Sequence, residues 1–214
     1  MHDMLQGLDI EIAGLMHIGF GSLRIDESGN HPLENARIKA LAYYDILQSP
    51  VFSCDSGLFI EGLSNKLQPG VHIRRVNGQE LTDEEMLGYY SSLAASLGGR
   101  VKAWYKNAIC LVLDSQTIYE YDGTDMASEA FYIVSQPHHK RIKGFPLDSL
   151  SVHCKKNRYY LDLKDDSQGK YGQAQSHGFR RFFQRVMDEH YHELPKALGT
   201  SWSADACSAT KAER

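Results

Sequence analysis

The stretch Val51-Phe52-Ser53-Cys54-Asp55-Ser56-Gly57-Leu58-Phe59-Ile60-Glu61-Gly62-Leu63 decides how the rest of the chain is read. Its two apolar β-forming runs, Val51-Phe52 and Leu58-Phe59-Ile60, flank an Asp55-Ser56-Gly57 break. That is the pattern of a strand delivering a carboxylate to a tight turn at its end. Open α/β sheets bind their ligands at such strand ends. An Asp-Ser-Gly turn is also an ordinary surface turn capped by its own side chains, so its meaning depends on the segments around it.

On the N-terminal side, Pro32 at a first helical position opens a helix with Leu33, Ala36, Ala40, Tyr43, Tyr44 and Leu47 at helical spacing. Glu34 falls in its first turn, where the helix dipole favours an ionised carboxylate. The polar, glycine-bearing run from Gly19 to Asn30 reads as a loop, and Leu8 to Ile12 alternates as a strand. On the C-terminal side, Gly62 to Gly78 reads as irregular. Thr82-Asp83-Glu84-Glu85 is a capping box opening an amphipathic helix that buries Met86, Leu87, Tyr90, Leu93, Ala94 and Leu97 and stops at Gly98-Gly99.

Further on, strands are expected over Val101 to Tyr105, Ala108 to Leu113, Thr117 to Tyr121, Phe131 to Val134, Leu150 to His153 and Arg158 to Leu163. A polar loop is expected over Asp165 to Gln175, then a last helix from Phe179 to Leu194 with an apolar face of Phe179, Phe182, Phe183, Val186 and Met187. Past Pro195 the residues turn small and polar, so 195–214 is expected to be a flexible tail on a single domain of residues 1–194. The order of elements gives an α/β class, a twisted mixed sheet flanked by helices.

A chain of 214 residues, 42% hydrophobic and 23% charged, can bury a good core. Its net charge of -4 offers no general attraction to nucleic acid. A polyanionic substrate would have to be met by local basic groups or a metal. No apolar run has membrane-spanning length and the first residues do not form a signal peptide, so a cytoplasmic location is expected. Cys54, Cys110, Cys154 and Cys207 show no paired ligand spacing and read as reduced thiols. The basic cluster of His138, His139, Lys140, Arg141 and Lys143 reads as a solvated loop.

Taken in order, Leu33-Glu34-Asn35-Ala36-Arg37-Ile38-Lys39-Ala40, Asp55-Ser56-Gly57, Gln68-Pro69-Gly70-Val71-His72-Ile73-Arg74-Arg75, Gly144-Phe145-Pro146-Leu147-Asp148 and Ser176-His177 resemble the inosine triphosphate pyrophosphatase family. Those enzymes hydrolyse deaminated purine nucleoside triphosphates to monophosphate and pyrophosphate. The resemblance implies an elongated two-lobed fold with a cleft between the lobes, a homodimer, a purine nucleoside triphosphate substrate and Mg²⁺. Magnesium keeps several waters and needs only one or two carboxylates beside substrate phosphates. By resemblance Asp55 is the catalytic carboxylate and a metal ligand, and Glu34 is metal-associated. Lys39 and Arg75 are assigned to phosphate contact. Ser56 and Gly57 would turn a hydroxyl and backbone N–H groups towards a phosphate oxygen, and Lys143 is a further phosphate candidate. Phe145, Pro146, Leu147, Asp148, Ser176 and His177 match the segments that hold the base.

The sequence departs from the family pattern at named places. Cys54 stands where a second acidic residue is usual, Leu147 where a tyrosine precedes the aspartate, and no arginine follows His177. No Gly-rich Asn-x-x-Lys segment precedes Leu8. The expected function is Mg-dependent hydrolysis of ITP, dITP and XTP to monophosphate and pyrophosphate. The alternative is a nucleotide-binding or structural homologue without turnover.

Overall fold

Two long antiparallel strands, β2 (Val51–Ile60) and β5 (Arg100–Val112), form the spine of the molecule, a computed structural model that describes residues 5, 7–21, 23–163, 173–190 and 201–203. They pair without interruption from Val51↔Val112 to Ile60↔Ala103. The turn expected at Asp55-Ser56-Gly57 is absent, and so is the break expected between Tyr105 and Ala108. The two stretches that read as breaks lie opposite each other, Ser56 facing Asn107 and Gly57 facing Lys106. Each satisfies the other's backbone polar groups in the ladder, and that long-range pairing overrides both local turn signals.

Around this spine the sheet runs β1-β10-β2-β5-β7-β8-β9, with β6 paired to the far half of β5. The other strands are β1 (Glu11–Ala13), β6 (Ile118–Tyr121), β7 (Phe131–Val134), β8 (Ser151–His153), β9 (Arg158–Tyr159) and β10 (Ser201–Ser203). The β1–β10 and β10–β2 pairings are parallel and the rest antiparallel, so the sheet is mixed, as the order of elements implies. A separate hairpin, β3 (Arg75–Val76) with β4 (Gln79–Glu80), closes through Asn77 and Gly78 at φ 50° and 79°. That left-handed pair is the usual chemistry of a two-residue hairpin.

Helix α1 (Pro32–Leu47) starts at Pro32 as expected, behind His31, whose side chain accepts from the Leu33 N–H. Helix α2 (Asp83–Ser96) carries the expected capping box, Thr82 with Glu85. Helix α3 (Gln173–His190) begins well before Phe179, so it takes in Gln173 to Gln175 from the expected loop and carries Ser176 and His177. Of the tail expected over 195–214, Ser201–Ser203 forms a strand, and 195–200 and 204–214 lie outside the described residues. The strand expected over Arg158 to Leu163 gives way after Tyr159 to a 3-10 turn, Tyr160–Asp162. His138, expected in a solvated loop, is 7% exposed and lies 3.1 Å from Asp162 through its Nε2.

Alternation along the spine puts helices on both faces of the sheet. Near the Val51 end, Phe52, Cys54, Ile109 and Leu111 pack under Phe179, Phe182, Phe183 and Val186 of α3. Cys110 and Val112 point the other way, onto Ala36 and Ala40 of α1. Near the Ile60 end, Leu58, Ile60 and Ala103 join Met86, Leu87 and Tyr90 of α2 with Ile133, Leu147 and Leu150. One pair of strands therefore carries two cores along one face, the first under α3 and the second under α2, and a further cluster under α1 on the other. Asp55 and Ser56 fall between Cys54 of the first core and Leu58 of the second.

Candidate active site

Between the two cores opens a cavity of about 220 Å³. Its polar end is lined by Glu27, Asn35, Asp55, Ser56, His72 and Arg75, and its apolar end by Met86, Tyr105, Phe145, Pro146 and Leu147, with Asp148 alongside.

Asp55 is 9% exposed and held from the α1 side. Lys39 Nζ donates to its Oδ1 at 2.8 Å, and Asn35 Nδ2 donates to its Oδ2 at 3.2 Å. The Asn35 amide is oriented by the Gly29 N–H, which donates to its Oδ1 at 2.9 Å. No larger residue fits at Gly29, because a Cβ there would stand 2.6 Å from that oxygen. Lys39, at 3% exposure, also meets Glu27 Oε2 at 3.2 Å. Burial works against its charge, but Asp55 and Glu27 outweigh it and hold the ammonium above the ordinary lysine range. Lys39 thus bridges two carboxylates, where the resemblance assigns it to a phosphate.

Glu34 does not reach this cluster. It is exposed, and its Oε2 accepts from the Asn30 N–H at 2.7 Å as a helix-start contact, outside the cavity lining. The carboxylate that the fold brings beside Asp55 is Glu27, from the polar loop ahead of α1. Glu27 and Asp55 supply hard oxygen donors suited to Mg²⁺ shared with phosphates. Among the described residues no group of three or more His, Cys, Asp or Glu could hold a metal ion by itself.

Ser56 Oγ donates to Asn107 Oδ1 at 2.6 Å, and Asn107 Nδ2 donates to the Met126 carbonyl, so the hydroxyl is fixed by β5. Gly57 is not the phosphate-facing turn that its sequence predicts. It sits in the ladder with Gly70 pressed against it, and a Cβ there would stand 3.1 Å from the Gly70 carbonyl carbon. Leu58 and Gly70 exchange backbone hydrogen bonds of 2.8 and 2.9 Å, which docks the loop carrying His72 and Arg75 onto β2. Tyr90 donates to the Ile73 carbonyl at 2.8 Å and fixes the same loop to α2. His72 reaches across the polar end to Asn30, with Nε2 3.3 Å from Oδ1.

At the apolar end, the loop after Gly144 becomes a 3-10 turn, Pro146–Leu150, whose Leu147 and Leu150 are buried in the second core. Tyr105 stacks on Phe131, and burial, with Asp148 nearby, pushes its hydroxyl well above the usual tyrosine range. Arg75 is exposed at the cavity's edge, and Lys143 lies outside the lining. His177 is exposed on α3 and is not among the lining residues, and the side chain of Ser176 lies outside the described residues. Cys54 lines the cavity at 1% exposure while packing in the first core, so the place of the usual second acidic residue is apolar here.

Sequence reasoning missed Glu27, Asn35, His72, Tyr105 and Asn107. Asn35 and His72 lie inside quoted motifs, and Glu27 is one acidic residue of a polar loop. None carries a local signal of its partner, because each partner is brought up by another strand or loop.

Comparison with known proteins agrees with this architecture. The Ham1 family model matches residues 1–152. A dITP/XTP pyrophosphatase of Halalkalibacterium halodurans is 41% identical over 147 residues, 68% of this chain and 72% of the relative. Another dITP/XTP pyrophosphatase, from Thermoanaerobacter pseudethanolicus, is 32% identical over 123 residues, 55% of this chain. The match spans 59% of that relative's length, less than two thirds. A solved HAM1 protein of Coxiella burnetii superposes with a TM-score of 0.63 over 87% of this chain and 91% of its own, at 19% identity, a likeness of fold alone. A family match over most of the chain, on a fold shared with a solved member, settles the affiliation: the chain belongs to the Ham1 family.

Proposed function

We propose that this protein hydrolyses deaminated purine nucleoside triphosphates, ITP, dITP and XTP, to the monophosphate and pyrophosphate, as a magnesium-dependent cytoplasmic homodimer. The observation that carries the reading is the Glu27–Lys39–Asp55 cluster, with Lys39 and Asp55 buried, at the polar end of a cavity whose other end is apolar. The curated relatives named above are dITP/XTP pyrophosphatases, which supports the substrate class. Among the described residues no helix is long and apolar enough to cross a membrane.

In this reading the triphosphate lies along the polar end and the base enters between Phe145 and Leu147. Magnesium, when bound by Glu27 and Asp55, supplies positive charge against the phosphates. Asp55 accepts the proton of the attacking water, and Asn35 and Lys39 hold its two oxygens in fixed directions. Arg75 meets phosphate charge from the opposite wall. Phe145 stacks on the purine, whose flat face suits an aromatic ring. A purine bearing a C6 oxygen needs hydrogen-bond donors at that edge, and adenine would leave those donors unpaired.

A second reading, a nucleotide-binding homologue without turnover, is favoured by Cys54, which puts a thiol where a carboxylate is usual. Incubation with a panel of nucleoside triphosphates and Mg²⁺ separates the two. Pyrophosphate plus monophosphate is expected. Binding without product favours the second reading, and stepwise orthophosphate release overturns the first.

A further inference from the structure

The guanidinium of Arg74 joins the start of helix α2, a few residues on, to Gly144, which is distant in sequence. Arg74 Nη2 donates to Asp83 Oδ1 at 2.8 Å and to the Gly144 carbonyl at 3.0 Å, and Nη1 reaches the Leu81 carbonyl at 3.4 Å. Asp83 Oδ2 in turn accepts from the Gly144 N–H at 2.7 Å. Gly144 is gripped at both its N–H and its carbonyl, in the left-handed region at φ 82°, where a side chain would be strained. Asp83 is itself well anchored, as the first residue of α2 beside the Thr82–Glu85 capping box. The Gly144 N–H, with Arg74 and Lys143 behind it, overrides partial burial and holds the Asp83 carboxyl below the usual range. The clasp therefore stays charged at neutral pH.

Arg74 and Gly144 both border the cavity, and Phe145 to Asp148, which follow directly, form its apolar wall. Both terminal nitrogens of Arg74 are committed to the clasp, which leaves its neighbour Arg75 as the arginine facing substrate. We propose that Arg74 and Asp83 are positioning residues, which hold the Phe145–Asp148 wall against the cavity and thereby set affinity for the nucleoside half of the substrate. This rests on the reading of the cavity as a nucleotide site. Leu147 and Leu150 pack the far part of the wall against α2, and at its near end Gly144 is tied to that helix by two side chains that touch no reacting atom.

The test uses the full chain with Asp83→Asn and Arg74→Lys. A neutral amide offers one acceptor oxygen to two donors, so Asp83→Asn must release either Arg74 or the Gly144 N–H. Arg74→Lys keeps the charge but loses the fork that spans Asp83 and Gly144. Pyrophosphate release from ITP gives KM and kcat, and amide hydrogen exchange over 142–148 reports the wall. Asp83→Asn is expected to raise KM about tenfold with kcat within about threefold, the size of one lost charge-assisted hydrogen bond. Arg74→Lys should fall between it and the parent, and the Gly144 amide should exchange faster in both. An unchanged KM beside faster exchange overturns the proposal, as does a fall in kcat that matches the rise in KM in both variants. If the parent binds ITP without releasing pyrophosphate, the hydrolytic reading fails and the clasp is judged by the same tenfold change in Kd. If the parent neither binds nor hydrolyses ITP, both readings fall.

Discussion

Lys39 Nζ stands 2.8 Å from Asp55 Oδ1 and 3.2 Å from Glu27 Oε2, with 3% of the lysine exposed, so one buried ammonium holds two carboxylates on the same side of the cleft. Removing it leaves both acids facing each other without a counter-charge. Lys39→Met is expected to destabilise the protein by about 3 to 5 kcal/mol, as for one partner taken from a buried ion pair. Urea unfolding checks this. A variant within about 1 kcal/mol of the parent would show that the carboxylates do not depend on the lysine.

Asp55→Asn keeps an acceptor oxygen for Lys39 but removes the proposed proton acceptor and a charge. Turnover should fall by about 10² to 10⁴, the usual worth of a general base, with the circular dichroism of the parent retained. Pyrophosphate release under saturating ITP measures it, and near-parent turnover would remove Asp55 from the mechanism.

Glu27→Gln and Glu34→Gln separate the carboxylate that the fold supplies from the one that the sequence pointed to. Glu27→Gln should raise the Mg²⁺ concentration needed for half-maximal rate by about 10- to 100-fold. Glu34→Gln should leave that midpoint in place, because its side chain caps the helix start at Asn30 and lies outside the cavity lining. A magnesium titration of both variants decides, and the reverse pattern would restore Glu34.

Gly57→Ala places a Cβ 3.1 Å from the Gly70 carbonyl carbon, in a contact between two backbones with no flexible side chain to yield. The docked loop must shift, at a cost of about 1 to 3 kcal/mol typical of overpacking. A lower urea midpoint with a parental slope is expected, together with a lower kcat/KM, because the same loop carries His72 and Arg75.

Above neutral pH the protein should lose stability through Cys110, whose thiol is pushed up to about 12 by burial, with Glu120 adding to the shift. The unfolded thiol ionises near pH 9. Between these values the folded chain holds a proton that the unfolded chain has released, so stability is full below pH 9 and declines by up to about 1.4 kcal/mol per pH unit above it. Comparing urea midpoints of the parent and Cys110→Ala from pH 8 to 11 checks this, since the variant should show a shallower decline.

Local sequence determined the helices, because their signals are local. Pro32 sets the start of α1, the Thr82 and Glu85 capping box that of α2, and the apolar spacing of Phe179, Phe182, Phe183 and Val186 the packed face of α3. The mixed α/β class followed from the order of elements, and the family from the spacing of short motifs around Asp55. What those motifs do is a different matter. Asp55-Ser56-Gly57 reads locally as a turn, yet it is mid-strand because Lys106 and Asn107 lie opposite and complete its hydrogen bonding. Glu34 reads as the partner of Asp55 because both sit in family motifs. A helix residue at that register faces solvent, while Lys39, farther along α1, turns inward and draws Glu27 down from the preceding loop. The Arg74 clasp was equally hidden, since its partners at Asp83 and Gly144 come from other segments. Caps and periodicity act within a few residues and can be read from one segment. Charge partners are selected by which backbones the sheet and helices bring within about 3 Å, and only the tertiary structure decides that.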